Sequence, residues 1–182
     1  MAVNVIFDTI TQCRLCAGQD ITEVLNLGNQ PPANALVLDG DCEPPLIPLR
    51  LMFCQDCSTV QLGESVDPYF LFSKYVWVTG TSRTAVDYSR RFVAEALKRC
   101  KQKAPFVVEI ASNDGTFLRR FQEHGSRVLG IDPAENLAKL AVARGLPTLA
   151  QFFTKEVAED VLEAHGYADI VVARNVIPHV LS

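Results

Sequence analysis

From Phe106 onward the chain repeats one pattern: a short apolar run, a polar break, an amphipathic run and a glycine. "FVVEIA" is almost continuously apolar, as a strand covered on both faces must be. "GTFLRRFQEHG" follows with helical spacing and closes at Gly125, a residue suited to a left-handed helix stop. "RVLGID" reads as the second strand and "AENLAKLAVARG" as the second helix, closed by Gly145. "PTLAQF", "TKEVAEDVLEAHG" and "ADIVVA" supply a third strand, a third helix and a fourth strand. Such alternation predicts a parallel sheet with helices on both faces, doubly wound through right-handed crossovers. Upstream, "TAVDYSRRFVAEALKRC" carries one apolar stripe (Val86, Ser89, Phe92, Val93, Ala96, Leu97, Cys100), with Arg90, Arg91, Lys98 and Arg99 largely on a solvated face. Ligands of these sheets sit beyond the C-terminal strand ends. The residues to inspect are therefore Ala111 to Gly115, Asp132 and Pro133, Gln151 and Phe152, and Arg174 to His179.

The first 75 residues have a different texture, rich in Cys, Pro, Asn and Gly, with short strand-like runs such as "NALVL" and "PLRLMF". This sets an N-terminal domain at 1–75 against a sheet-and-helix domain at 76–182, the aromatic "DPYFLFSKYVWVTGTS" lying at the junction. "CRLC" and "CQDC" place Cys13, Cys16, Cys54 and Cys57 in two pairs, with residues 17 to 53, 37 in all, between them. Two such knuckles supply four thiolates to one tetrahedral zinc ion, and a region this small gains folding energy from the metal. Four thiolates leave no position for water, so the ion is structural. A redox role is disfavoured, because neither pair stands at a strand-to-helix junction that would lower a thiol's pKa. Cys42 and Cys100 read as incidental or packing residues.

A net charge of −4 argues against nucleic acid as a main partner, and no apolar run is long enough to span a membrane. "MAVNVIFDTITQC" has no basic start or apolar core, so it does not read as a signal peptide, and unexported cysteines point to the reducing cytoplasm.

"EIASNDG" follows the first strand of the repeat. It can be laid on ExGxGxG, the first motif of class I methyltransferases that use S-adenosylmethionine, with Glu109 and Gly115 matching and Ala111 and Asn113 at the other glycine positions. Ala111 is small enough for close passage of a ligand, and Asn113 tolerates left-handed backbone. Neither the dinucleotide fingerprint nor a phosphate loop is present. Asp132, ending the second strand, is placed to accept hydrogen bonds from both ribose hydroxyls; the competing reading is a plain Asp-Pro turn. Phe152, with Phe153, is a candidate to sandwich an adenine, or else core.

With "CRLC…LNLGNQPPAN", "CQDCSTVQL", "YVWVTGTS", "EIASNDGTFL", "GIDPAENLA" and "ARNVIPHV" in one order, the chain resembles the sugar C-methyltransferases that act on nucleotide-linked 4-keto-deoxyhexoses. The resemblance implies an α/β protein: a small β-rich zinc-binding domain followed by a Rossmann-like class I methyltransferase domain. That domain would be incomplete here, since the family sheet has seven strands in the order 3-2-1-4-5-7-6 and a further C-terminal domain. It implies S-adenosylmethionine and structural zinc as cofactors, a nucleotide-sugar substrate, and proton removal next to a ketone before methyl transfer. His179 is the candidate base, with an imidazole that titrates near neutrality. Tyr75 matches the family's tyrosine-bearing segment, although Trp77 competes for that alignment. Asn175 is expected to orient the cofactor's methionine end. O- or N-methylation of a related sugar, or a zinc-ribbon adaptor without catalysis, are the alternatives.

Overall fold

The computed structural model describes residues 6–33, 35–37, 40 and 42–179, and the chain divides into two compact units, Met1–Leu71 and Phe72–Ser182. In the first, β1 (Phe7–Thr9) pairs antiparallel with β5 (Glu64–Val66). β2 (Ile21–Gln30), β3 (Ile47–Cys54) and β4 (Val60–Leu62) form a second antiparallel sheet in the order β2-β3-β4. "PLRLMF" thus lies in a strand, as expected. "NALVL" does not: Ala35, Leu36 and Val37 are outside any strand, while Asn34 and Leu38 fall outside the described residues. Pro31 and Pro32, just before it, have no N–H to give to a ladder. The longer of the two strands that pair with β3, Ile21–Gln30, is hard to read because its register shifts twice, between Glu23 and Leu25 and between Asn26 and Asn29. Each irregularity breaks the two-residue alternation by which a strand is recognised; Gly28, inside the second, has φ 71°.

α1 (Pro68–Phe72) lies where the first unit gives way to the second. Beyond it come a 3-10 turn at Thr79–Thr81 and α2 (Arg83–Arg99). The Ser82 hydroxyl accepts the Ala85 N–H at 3.3 Å, so this side chain caps α2. The repeat then runs β6 (Phe106–Ile110), α3 (Thr116–Glu123), β7 (Arg127–Ile131), α4 (Glu135–Ala143), β8 (Thr148–Leu149), α5 (Lys155–His165) and β9 (Ile170–Ala173). All four strands are parallel, in the order β8-β7-β6-β9. "PTLAQF" is shorter than its pattern predicts, only Thr148 and Leu149 being in the strand. Among the described residues β8 has one neighbour, and Pro147 contributes only a carbonyl, which accepts the Gly130 N–H at 2.8 Å.

The strand order explains the two cores. From β6 to β7 to β8 the chain moves outward, with α3 and α4 on one face; it then returns past β6 to β9, and the crossover α5 must cover the other face. Val107, Val128 and Val172 accordingly pack with Val93, Leu118, Phe121, Ala141 and Leu146 on the first face. Phe106, Val108, Leu129 and Ile131 pack with Val161 on the second. The switch in direction lies between β6 and β9, and the carboxyl ends of these two strands border the crevice where such folds take ligands.

Candidate functional site

In the first unit the two Cys-x-x-Cys turns have the same geometry. The Ala17 N–H donates to the Cys13 carbonyl and the Ser58 N–H to the Cys54 carbonyl, both at 2.9 Å. Ala17 and Ser58, each following its second cysteine, take φ values of 59° and 60°. Cys13 N–H closes onto the Gly18 carbonyl at 2.7 Å, as Cys54 N–H closes onto that of Thr59 at 2.9 Å. Buried Gln61 fixes the first turn by accepting the Arg14 N–H at 2.8 Å and donating to the Gln12 carbonyl at 3.2 Å.

The four sulfurs converge. Cys13 Sγ is 3.6 Å from Cys57 Sγ and Cys16 Sγ 3.7 Å from Cys54 Sγ, and all four lie within 4.8 Å of one another. A tetrahedral ion with Zn–S bonds of about 2.3 Å separates its sulfurs by about 3.8 Å, so this set fits zinc. Hydrogen bonds from the Thr59 side chain and N–H pull Cys57 down to about 6, while Cys16 and Cys54 are raised, so the four neighbouring thiols titrate as one cluster and metal binding must displace its protons.

The second unit gathers most of the other expected residues at the carboxyl ends of the strands. After β6, Ala111, Asn113 and Gly115 all have left-handed backbone, with φ of 53°, 55° and 74°. The three positions laid on the glycines of ExGxGxG therefore share the conformation for which glycine is favoured. Gly115 is required for a second reason: a Cβ there would stand 2.4 Å from Leu146 Cδ1. Asp132 lies beside this loop, 5% exposed. Its Oδ2 accepts the Asn113 N–H at 2.7 Å and its Oδ1 the Ala134 N–H at 2.8 Å. Each carboxylate oxygen retains a second lone pair, so these bonds orient the carboxylate and leave it able to accept further hydroxyls. Desolvation raises its pKa, against the opposing pull of those two N–H groups.

Glu109 is wholly buried and has no direct access to the crevice. Its Oε1 accepts from Arg174 Nη2 at 3.1 Å, and Oε2 has no partner among the described residues. Burial raises its pKa to about 7 despite the adjacent guanidinium. Arg174 in turn lies over the Phe117 ring, 3.2 Å from its centroid. Arg174 opens the post-strand segment Arg174 to His179, but the sequence assigns it no role, because its partner Glu109 lies 65 residues away in the chain. Asn175, next in the chain, has φ 55° and is exposed. His179 ends a short 3-10 turn, exposed, with its ring 5.8 Å from that of Phe72. The two phenylalanines after β8 separate: Phe153 packs onto the Phe106–Val161 core, whereas Phe152 is half-buried. A double aromatic sandwich is thus reduced to Phe152 alone.

Residues 73–81 are tied to these loops. The Glu135 N–H donates to the Ser73 carbonyl at 3.1 Å. Asn136 accepts the Tyr75 N–H at 3.1 Å and donates to the Tyr75 carbonyl at 2.8 Å. Asn113 donates to the Trp77 carbonyl at 3.0 Å and accepts the Thr79 N–H at 2.8 Å. Asp114, fully buried, accepts the Gly80 N–H at 3.2 Å and pairs with Arg144 at 2.5 Å.

Residues 83–182 match the methyltransferase domain family, and residues 13–72 match a zinc binding domain. The chain belongs to the methyltransferase domain family. The cofactor of that domain is S-adenosylmethionine, and the left-handed loop and the strand-end carboxylate suit a ribonucleoside that carries no pyrophosphate. C-methyltransferase NovU of Streptomyces niveus is 34% identical over 174 residues, which are 94% of this chain and 41% of NovU. The chain therefore spans well under half the length of that relative. Among solved structures, magnesium protoporphyrin IX methyltransferase (ChlM) from Synechocystis PCC 6803 with bound SAM is similar at 15% identity, with a TM-score of 0.39. That similarity covers 53% of this chain and 46% of ChlM.

Proposed function

We propose that this chain is the zinc-binding and cofactor-binding part of a methyltransferase that methylates a nucleotide-linked keto-deoxysugar at carbon. The observation that carries the reading is the convergence of Asp132 with a loop of three left-handed residues at the switch point of the sheet, in a chain 34% identical to a C-methyltransferase over nearly its whole length.

The bound cofactor supplies an electrophilic methyl group on a sulfonium. Asp132 accepts the ribose hydroxyls, and the backbone of Ala111, Asn113 and Gly115 admits the nucleoside closely. Phe152 covers the adenine, and Asn175 orients the methionine end. Glu109 acts through Arg174, holding the guanidinium at the β6 and β9 tips. His179 takes the proton from the carbon next to the sugar ketone, whose carbonyl makes that proton acidic, and Tyr75 faces the acceptor. Zinc, held by Cys13, Cys16, Cys54 and Cys57, supports the fold of the first unit and takes no part in the chemistry.

Calorimetry with S-adenosylhomocysteine tests the cofactor assignment. The chain is expected to bind, and Asp132→Ala to weaken binding about 10- to 100-fold, the cost of charged hydrogen bonds. Undiminished affinity removes Asp132 from the ribose. The substrate assignment is tested by incubating the protein in deuterium oxide with a nucleotide-linked 4-keto-6-deoxyhexose. Deuterium entering next to the ketone, and failing to enter with His179→Ala, supports carbon methylation; O- or N-methylation needs no such exchange.

A further inference from the structure

Asp114 stands in the loop after β6, fully buried, between the left-handed residues Asn113 and Gly115. Its Oδ1 accepts the Thr116 hydroxyl at 2.7 Å and the Thr116 N–H at 3.3 Å, an ordinary turn at the start of α3. A turn of that kind needs one oxygen and no charge, and an asparagine would make it equally well. The second oxygen has different partners. Oδ2 accepts the Gly80 N–H at 3.2 Å and Arg144 Nη1 at 2.5 Å, and the same Nη1 lies 3.4 Å from the Asp114 carbonyl.

Arg144 directly follows α4 and is itself tied to α3, its carbonyl accepting from Arg119 Nη2 at 2.8 Å. One buried carboxylate thus draws together the loop after β6, the start of α3, the end of α4 and the turn at Thr79–Thr81. Among the described residues Arg144 is the only cation paired with it. Gly80 must lack a side chain for this approach, since a Cβ there would stand 2.5 Å from Asp114 Oδ2. The loop around Asp114 needs such support. Ala111 and Asn113 carry side chains at φ of 53° and 55°, a conformation that persists only where the surroundings over-determine it. Asn113 also places its N–H on Asp132 Oδ2 at 2.7 Å, so a shift of the loop at its neighbour Asp114 passes directly to the carboxylate read as the ribose acceptor.

We propose that Asp114 and Arg144 form a positioning pair for the cofactor: they touch no ligand, and their opposite charges hold the left-handed loop in the shape the nucleoside requires. The inference rests on the cofactor reading above. A loop fixed before binding loses less freedom when the ligand arrives, so loosening it lowers affinity without removing a contact. Burial makes the pair act as a unit. Removing one charge leaves the other without its partner, whereas removing both leaves no unpaired charge behind.

The test is calorimetry of the full 182-residue chain with S-adenosylhomocysteine, with circular dichroism to confirm folding. Asp114→Asn keeps an oxygen for Thr116 and removes the charge; it is expected to weaken binding about 10-fold, the effect of losing a charge-assisted hydrogen bond. Arg144→Gln should weaken binding by a similar factor. Arg144→Lys restores the charge and should bind within about three-fold of the native chain. The double variant Asp114→Asn with Arg144→Gln should lose about 10-fold rather than about 100-fold, because residues that act as one pair are not additive. If the native chain does not bind, the cofactor reading falls and the inference with it. If the native chain binds and folded Asp114→Asn binds as tightly, Asp114 makes only a local turn and the inference alone is overturned. A loss of about 100-fold in the double variant would show two independent residues and overturn the pair. Arg144→Lys binding no better than Arg144→Gln would overturn the role of charge. Where a single variant does not fold, the double variant decides, since it leaves no buried charge alone: native affinity there overturns the inference.

Discussion

Glu109, read from the loop motif, and Asp132, read from its place at a strand end, are both expected at the cofactor and lie at the carboxyl ends of neighbouring strands, yet they are held quite differently. Asp132 has both oxygens on main-chain N–H groups and a little exposure; Glu109 has one oxygen on Arg174, the other without a partner among the described residues, and none. The sign of the Glu109 shift follows from that setting. Its folded pKa of about 7 lies above the ordinary carboxylate value, because burial outweighs the pull of Arg174. Between about pH 4.5 and 7 the folded chain therefore holds a proton that the unfolded chain has released, and stability falls as pH rises through that window. The fall is on the order of 3 kcal/mol for this group alone. Urea unfolding followed by Trp77 emission, at a series of pH values, reads the second unit directly. Glu109→Gln is expected to flatten the dependence between pH 4.5 and 7; an unchanged slope would show that another group titrates there.

At the scale of elements, the part of the chain with regular periodicity was legible and the part without it was not. β6, α3, β7, α4, α5 and β9 lie where apolar runs and closing glycines placed them, and the strand order matches the first four strands of the expected sheet. β2 was missed because two register shifts hide its alternation, and β8 was overextended because an apolar run does not reveal how few neighbours a strand has. The loop after β6 was readable as a site because left-handed backbone selects Gly, Asn and little else, although Ala111 at φ 53° was expected only to be small. The side-chain bonds of Asn113 and Asn136 were not readable, since backbone partners 34 to 61 residues away leave no local pattern. Gly130, inside β7, is the element-scale counterpart of these contacts. A Cβ there would meet Ser112 Oγ at 2.5 Å, Leu118 Cδ1 at 2.9 Å and Thr148 Oγ1 at 2.9 Å. The strand needs no side chain at this point because the cofactor loop and α3 are packed down onto it. Gly130→Ala is expected to cost about 1–3 kcal/mol in urea unfolding, the range for overpacking a filled site, and to weaken S-adenosylhomocysteine binding by shifting Ser112 and the loop. A variant of native stability and affinity would show that the loop is held elsewhere.

At the scale of the molecule, the two units are stabilised by different physics. The second has two apolar cores on the two faces of one sheet, Val107 and Val172 on one side and Val108 and Leu129 on the other. In the first, every residue of β2 after Ile21 is exposed, with Val24, Leu25 and Leu27 about half in solvent, and the deeply buried groups include two metal-binding sulfurs, those of Cys13 and Cys54. A unit of this size and exposure relies on its metal, as small domains generally do. Removing zinc at neutral pH with a strong chelator is therefore expected to unfold the first unit while leaving the second folded. Hydrogen exchange reads the difference by residue: amides of β3 such as Met52 and Phe53 should lose protection, and those of β6 such as Val107 and Val108 should keep it. Acid should act as the chelator does, because thiolates must take up protons before they release the ion, so protection in β3 falls as pH drops. Cys54→Ser removes one buried ligand and should reproduce the chelated pattern. If β6 lost protection in parallel with β3, the two units would fold as one cooperative body and the metal would support the cofactor crevice as well.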